Sequence, residues 1–387
     1  MDAVNPRISQ INTFAAVDPV AWNAVANPPG LPYDPFLTWE FLEAMERSGA
    51  ATPRTGWRGS HILVHEPGGR LRAAMPMWFK SHSRGEFVFD QSWAEAWERA
   101  GGAYYPKLLS AVPFTPVTGR RLLVAPGPDA EMYKAALLQG AFHVAMETDV
   151  SSMHINFIEA SETAALEAAG LLVRTDQQFH WQNNGYASFD DFLATLSSDK
   201  RKNLRKERAK AQDGLEFRHI TGDEITEDHL DRFFDFYMDT GSRKWGSPYL
   251  TRASFSLLRE RMAKDLLFVF VYDGDTAIAG AMNLIGSETL YGRYWGCTDP
   301  RPMLHFETCY YQAIDFAIAH GLKTVEAGAQ GGHKLARGYA PVLTYSAHWI
   351  SHPGFRDAVA EYLERERAAV DADFIYLKDR TPFRKES

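Results

Sequence analysis

Apolar positions alternate with polar ones along Ser152–Phe157 and Leu171–Trp181, and they recur at helical spacing through Asp129–Glu147. Strand and helix therefore follow one another closely. Earlier in the chain, Asp34–Arg47 predicts a helix with Thr38 as its cap and Phe41, Leu42 and Met45 on its apolar face. Ser60–Phe79 predicts a hairpin, because Pro67-Gly68-Gly69 separates two runs of strand composition. Within Glu86–Pro126 the pattern predicts a strand at Phe87–Phe89, a helix at Trp93–Arg99, then strand plus irregular loop, since Pro106, Pro113 and Pro116 forbid a long helix. Glu162–Ala169 reads as a helix closed by Gly170.

Asn183-Asn184-Gly185 is a turn signal and the expected boundary between domains at 1–183 and 184–387. Beyond it, Phe189–Gln212 predicts one long helix whose second half is densely basic. Leu215–His219 follows as a strand, and Glu227–Tyr237 and Ala253–Met262 as helices. Leu266–Tyr272, Thr276–Leu284 and Thr289–Trp295 read as three successive strands, the first two joined by Asp273-Gly274-Asp275. Phe306–His320 predicts a helix stopped by Gly321, Lys323–Ala329 and Val342–Ile350 predict strands, and Arg356–Val370 an amphipathic helix. Two stretches repeat. VHEPGGRLRAAMPMW from Val64 matches VYDGDTAIAGAMNL from Val271 in layout, and QFHWQ around His180 echoes SAHWI around His348. A duplicated α/β fold follows, each half a mixed sheet flanked by helices.

Composition narrows the class. A chain of 387 residues with 45% hydrophobic and 23% charged residues can bury large cores, and a formal net charge of -8 argues against a surface devoted to nucleic acid. Only Cys297 and Cys309 occur, which excludes a disulfide framework. No basic start with an apolar core is present, and no apolar run reaches the ~18 to 20 residues of a membrane helix, so a cytoplasmic location without a transmembrane segment is expected. The sequence assigns no oligomeric state.

Candidate chemistry gathers between Thr289 and Trp349. In KTVEAGA, strand alternation points Thr324 and Glu326 to one face, and a carboxylate inside a buried strand is costly unless paired, here with Arg293 or Lys334. Glu326 is thus either a proton acceptor or half of a structural ion pair. The loop QGGHKLARGY from Gln330 leaves that strand at its carboxyl end, where open α/β sheets commonly place ligands. Gly328, Gly331, Gly332 and Gly338 let backbone N–H groups approach an anion, Lys334 and Arg337 bring charge, and His333 is a candidate acid or base. His305, Glu307, Gln330 and Tyr339 complete the substrate-binding candidates. His305 and Cys309, four apart, admit a thiolate pair or a zinc site with Cys297 and His333. Cys309 falls on the apolar stripe of Phe306, Tyr310, Ala313 and Ile314, which favours a buried thiol, and no metal is expected. Lys200–Lys210 holds Lys202, Arg205 and Lys206 on a helix with one acid, Glu207, a pattern suited to phosphates or RNA as well as to a solvated face.

LHFETCYYQAI, EAGAQGGHKLARGY and SAHWI resemble the predicted N-acyltransferases related to the FemAB peptidoglycan-bridge aminoacyltransferases, a branch of the GNAT superfamily, and KRKNLRKE is similar to the basic helix early in their second domain. The resemblance implies two GNAT-like domains with mixed, mainly antiparallel sheets flanked by helices. It also implies transfer of an acyl or aminoacyl group to an amine on a small molecule or peptide. The donor implied is aminoacyl-tRNA, which makes tRNA a candidate partner, or else acyl-CoA, and no tightly bound cofactor is expected. Where acyl-CoA enzymes of the superfamily carry a Gly-rich pyrophosphate loop, this chain reads GCTDPRPMLHFE, and Pro300 and Pro302 lack the N–H groups a phosphate needs. On this reading Glu326 is the base with His333 second, Gly331 or Gly332 and Arg337 stabilise an oxyanion, and Arg293 and Lys334 hold an anionic substrate group. The alternatives are an acyl-CoA-dependent acetyltransferase with an atypical cofactor loop, and a non-catalytic module that binds peptidoglycan precursors or RNA.

Overall fold

The computed structural model describes residues 6–243, 248–328 and 331–384. It contains two compact units: Met1–Asp176 with Leu343–Asp371, and Gln177–Val342 with Ala372–Ser387. The chain crosses between them after Asp176, Val342 and Asp371, whereas the single division expected from sequence falls at 183/184.

Unit 1 begins with β1 (Arg7–Ile11), α1 (Pro19–Ala26) and α2 (Trp39–Arg47), the last capped as expected by Thr38, whose hydroxyl accepts from the Phe41 N–H at 3.2 Å. The expected hairpin follows, bent in the middle. Its arms are β2 (Trp57–Gly59) with β3 (His61–His65), and β4 (Leu71–Met75) with β5 (Trp78–Lys80). Pro76 carries no N–H for the ladder, so the arms turn there, and the next donor, Met77 N–H, goes to the His61 ring at 3.1 Å. Next come α3 (Gln91–Arg99), β6 (Lys107–Ser110), β7 (Leu123–Val124), α4 (Ala130–Glu147), β8 (Ser152–Ile158) and α5 (Thr163–Ala168). The strand β9 (Leu172–Gln182) then carries the chain into unit 2.

Unit 2 continues through α6 (Phe189–Thr195), α7 (Ser198–Gln212), β10 (Glu216–Thr221), α8 (Glu227–Arg243), α9 (Arg252–Met262), β11 (Leu266–Asp273), β12 (Thr276–Ile285) and β13 (Thr289–Cys297). After α10 (Leu304–Phe306), a π-helical turn at Glu307–Tyr311, α11 (Gln312–Ala319) and β14 (Thr324–Glu326), a 3-10 turn at Gly332–Arg337 leads into β15 (Ala340–Ile350). The helix α12 (Pro353–Lys378) follows. No helix among the described residues is long and apolar enough to cross a membrane.

The duplication is visible in topology. In unit 1 the order β2-β5-β6-β8-β15 has polarities antiparallel, antiparallel, parallel, antiparallel, and in unit 2 the order β11-β12-β13-β14-β9 repeats them, with β10 added at its edge. A second sheet of unit 1, β1-β3-β4-β7, uses the outer half of the bent hairpin. Alternation then sorts side chains. In unit 1, Phe79, Leu108, Met153, Ile155 and Ala347 pack with Leu137, Ala141 and Val144 of α4. In unit 2, Phe179, Trp181, Leu267, Leu290 and Val325 pack with Ile314 and Ala317 of α11. On the opposite faces, the register pairs His348 with His154 in unit 1 and His180 with Glu326 in unit 2, so the repeated histidines hold equivalent positions.

Four expected elements differ. The predicted helix over 189–212 is two helices, because Leu196 takes an extended conformation and bridges to Phe383. Phe87–Phe89 is not a strand: Phe87 has φ 60°, and the flanking Glu86 and Asp90 turn inward to Lys107. The helix predicted over 306–320 is interrupted by the π-helical turn, and the strand predicted over 323–329 ends its pairing at Glu326.

Candidate functional site

The site in unit 2 arises where two parallel strands part. β13 and β14 pair only through Thr289↔Thr324, Leu290↔Val325 and Tyr291↔Glu326, after which β14 ends and β13 continues to Cys297. A cavity of about 90 Å³ opens there, lined by Asn283, Gly292, Arg293, Trp295, His305, Cys309, Tyr310 and Ala327, among others. Two local features shape it. At Gly292 a Cβ would lie 3.3 Å from the Glu326 carbonyl oxygen, so glycine permits the close approach of β14. The register shifts from Asn283↔Gly292 to Met282↔Tyr294, leaving Arg293 as the extra residue of a β-bulge. Such a bulge re-aims a side chain, and here the Arg293 side chain meets Glu326.

The resulting cluster is buried and charged. Arg293 Nη2 donates to Glu326 Oε2 at 2.8 Å, with the two side chains only 2% and 7% exposed. His180 Nε2 lies 3.9 Å from Glu326 Oε1 and 3.1 Å from Gln178 Oε1. Burial lowers the His180 pKa, against the pull of Glu326, so this ring is held neutral. Lys334 is fully buried and donates from Nζ to the Gly328 carbonyl at 2.8 Å. Burial first, and then the neighbouring Arg293 charge, bring its pKa down to about 8, with Cys309 and Glu326 opposing. His333 is exposed and its Nε2 shares a hydrogen bond of 2.9 Å with the Tyr310 hydroxyl, whose pKa burial pushes far up, so Tyr310 stays an O–H. A carboxylate, a guanidinium and an ammonium thus meet beside a small cavity, a set able to take a proton and to stabilise a developing oxyanion.

A family model named FemAB-like, described as peptidoglycan biosynthesis and recognition, matches residues 13–385. The chain belongs to the FemAB-like family. No curated protein sequence matches it. Among solved structures it is similar to the crystal structure of FemX, at 12% identity over 91% of this chain and 100% of FemX, with a TM-score of 0.55. It is also similar to L-PGS from Bacillus licheniformis, at 11% identity over 87% of this chain and 98% of that one, with a TM-score of 0.50. A conserved protein of unknown function from Bacteroides thetaiotaomicron gives 13% identity, 89% and 100% coverage, and a TM-score of 0.51. At such identities the likeness is one of fold.

In this FemAB-like chain the sequence candidates divide. Glu326, Arg293 and Lys334 come together, with His305 and His333 near them: the His305 ring lies 5.3 Å from those of Trp295 and Tyr310 and 6.4 Å from His333. Cys309, expected as a buried thiol, is half-buried and lines the cavity. Glu307 is elsewhere. It is fully buried and accepts from Arg208, at 2.9 Å and 3.2 Å, and from Gln212 and Gln312, both at 2.8 Å. Arg337 is bound to Glu207 at 3.0 Å and lies over the Phe306 ring at 3.4 Å, which removes its guanidinium from the expected oxyanion role. Tyr339 is buried and donates to the Tyr310 carbonyl at 3.4 Å. Gly331 has φ 127° and Gly332 starts the 3-10 turn, while Gln330 lies outside the described residues. On α7, Lys202 and Lys206 are exposed, and Arg205 bonds Asp190 at 2.9 Å. Among the described residues no three His, Cys, Asp or Glu side chains are placed to hold a metal ion. Residues absent from the sequence candidates also line the site: His180, Asn283, Trp295 and Tyr310. Only His180 carried a signal, in the repeat it shares with His348.

Proposed function

We propose that the cluster around Glu326 transfers an acyl or aminoacyl group from an activated ester to an amine of a peptidoglycan-precursor peptide, in the cytoplasm. The observation that carries this reading is the buried Glu326–Arg293 pair, with Lys334 beside it, at the opening between β13 and β14. The acceptor amine gives its proton to Glu326 and attacks the donor carbonyl. Negative charge then gathers on the carbonyl oxygen, where the Lys334 ammonium and Arg293 stabilise it. The C–O bond to the donor breaks, the leaving alkoxide takes a proton, and an amide remains. His333 on Tyr310 is the second candidate for proton transfer.

Aminoacyl-tRNA is the favoured donor. In the segment before α10, Pro300 and Pro302 offer no N–H, and Arg301 is bound to Asp273 at 2.6 Å and to Asp299 at 2.8 Å, which leaves little for a pyrophosphate. On α7, Lys202 and Lys206 stand one turn apart, exposed and without an ion pair among the described residues, a spacing suited to backbone phosphates. Turnover is therefore expected with aminoacyl-tRNA and a precursor peptide bearing a free amine, and not with acetyl-CoA. The double variant Lys202→Ala/Lys206→Ala should weaken tRNA binding and flatten its salt dependence by roughly one to two in log–log slope. Saturable CoA binding with acetyl transfer would overturn the donor assignment. Binding of the peptide without turnover from any donor would overturn the transfer itself.

The Lys334 ammonium also sets a pH dependence. With its folded pKa at about 8, the charge that stabilises the oxyanion is present below that pH and lost above it, so the rate should fall as pH rises through about 8. Stability moves the other way. A lysine of ordinary pKa 10.5 in the unfolded chain binds more protons there than in the folded one between about 8 and 10.5, so the Lys334 contribution to stability rises with pH across that window. Lys334→Met should remove both trends, measured as pH–rate profiles and as melting temperature against pH.

A further inference from the structure

Unit 1 contains a larger cavity that the transfer reaction does not use. It measures about 500 Å³, within the range of small-molecule sites, and its wall includes Gln10, Asn12, Thr13, Glu46, Arg58 and Thr148 over an apolar floor of Trp57 and Phe79. Glu46 is held there by three donors. Thr13 Oγ1 donates to its Oε2 at 2.9 Å, the Phe14 N–H to the same oxygen at 2.8 Å, and His61 Nε2 to its Oε1 at 3.1 Å. The tautomer of His61 is fixed, because its Nδ1 accepts the Met77 N–H. The His61 ring is fully buried and the Glu46 side chain 14% exposed, so a rigid carboxylate lines the cavity with one acceptor site of Oε1 still unused.

Arg58 complements it. The residue is exposed, its guanidinium carbon lies 4.2 Å from the centroid of the Phe79 ring, and the guanidinium makes no hydrogen bond among the described residues. The contact with the ring holds the cation at the cavity wall and leaves its N–H groups for an anion. The remaining polar lining is two amides and three hydroxyls; Gln10 donates to Ser60 Oγ at 2.8 Å, and the Thr13 and Thr148 hydroxyls donate to Glu46 and to the Val144 carbonyl, so these side chains chiefly offer acceptor oxygens to the hydroxyls of a polyol. We infer that this cavity binds a small hydroxylated anion of the sugar-phosphate or sugar-acid class, with the anionic group on Arg58 and one hydroxyl donated to Glu46. It lies within unit 1 and does not depend on the transferase assignment of unit 2.

Calorimetry on the full chain tests this with glucose 6-phosphate and gluconate as probes, sorbitol as the neutral control and free alanine as a competing class. One-to-one saturable binding of at least one anionic sugar, about 10-fold or more tighter than sorbitol, is expected, and the two arms separate phosphate from carboxylate. Arg58→Ala, at an exposed position, should lower that affinity about 10-fold with an unchanged melting temperature. Glu46→Gln should weaken the anionic sugar and sorbitol alike. No saturation by either sugar, binding indifferent to Arg58→Ala, or tighter binding of alanine than of both sugars would each overturn the inference.

Discussion

Replacing Glu326 by Gln is expected to lower turnover by about 10² to 10⁴, the usual contribution of a positioned general base. The amide keeps the shape of the side chain and one oxygen for Arg293 Nη2, now 2.8 Å from Glu326, but it cannot take a proton from the acceptor amine. The loss should therefore fall on kcat, with KM for the peptide changed by no more than about threefold. A purely structural ion pair predicts a different result. Removing one charge from a buried pair costs roughly 3–5 kcal/mol, and turnover would then fall only with the folded fraction. Melting temperature, kcat and KM measured on the same protein separate the two. Full turnover in Glu326→Gln would sink the assignment, and His333→Ala, on an exposed ring, should cost less than about 10-fold.

The largest effect on stability is expected in unit 1, from Lys107→Met. Lys107 Nζ donates to Glu86 Oε2 at 2.7 Å, to Asp90 and to Ser83 Oγ at 2.8 Å, all of them buried, and the Tyr104 hydroxyl donates to Asp90 at 2.7 Å. Burial pushes Asp90 upward, and the Lys107 and His154 fields more than reverse this, holding it below the usual carboxylate range. Methionine fills the space of the lysine stem yet leaves Asp90 without its lysine cation and Glu86 with Lys80 alone, whose Nζ stands 3.8 Å from Glu86 Oε1. A loss of roughly 3–5 kcal/mol is expected, read as a lower denaturation midpoint at unchanged slope. A variant of equal stability would show that Glu86 and Asp90 become protonated at little cost.

This second network was not legible in the chain. Lys80 and Lys107 stand in strands of three and four residues, too short for a periodic signal, and they face one another only because Lys80 pairs with Lys107 across β5 and β6. Glu86 and Asp90 flank a segment whose composition reads as strand, and the pull of a buried ammonium bends it away from one. The longer elements fared differently. Thr38 before the α2 stripe, the Pro-Gly-Gly hairpin and the Asp-Gly-Asp turn each combine a local backbone preference with a matching hydrophobic period, and each was found where expected.

Glu326 and Glu307 show how far the sequence reaches by itself. Order of elements, the duplicated layout with its paired histidines, and the carboxylate inside a buried strand follow from alternation and turn chemistry, which are local. Which carboxylate meets the cavity is not local. One extra residue at Arg293 turns its guanidinium onto Glu326, while the π-helical turn and the phase of α7 bring Arg208 onto Glu307 and seal it. Arg337 likewise reads as a cation beside glycines and proves to be bound to Glu207, a residue 130 positions away in the chain. Periodicity assigns a side chain to a face, but its partner depends on register, bulges and helix phase, and these are set only when distant segments pack.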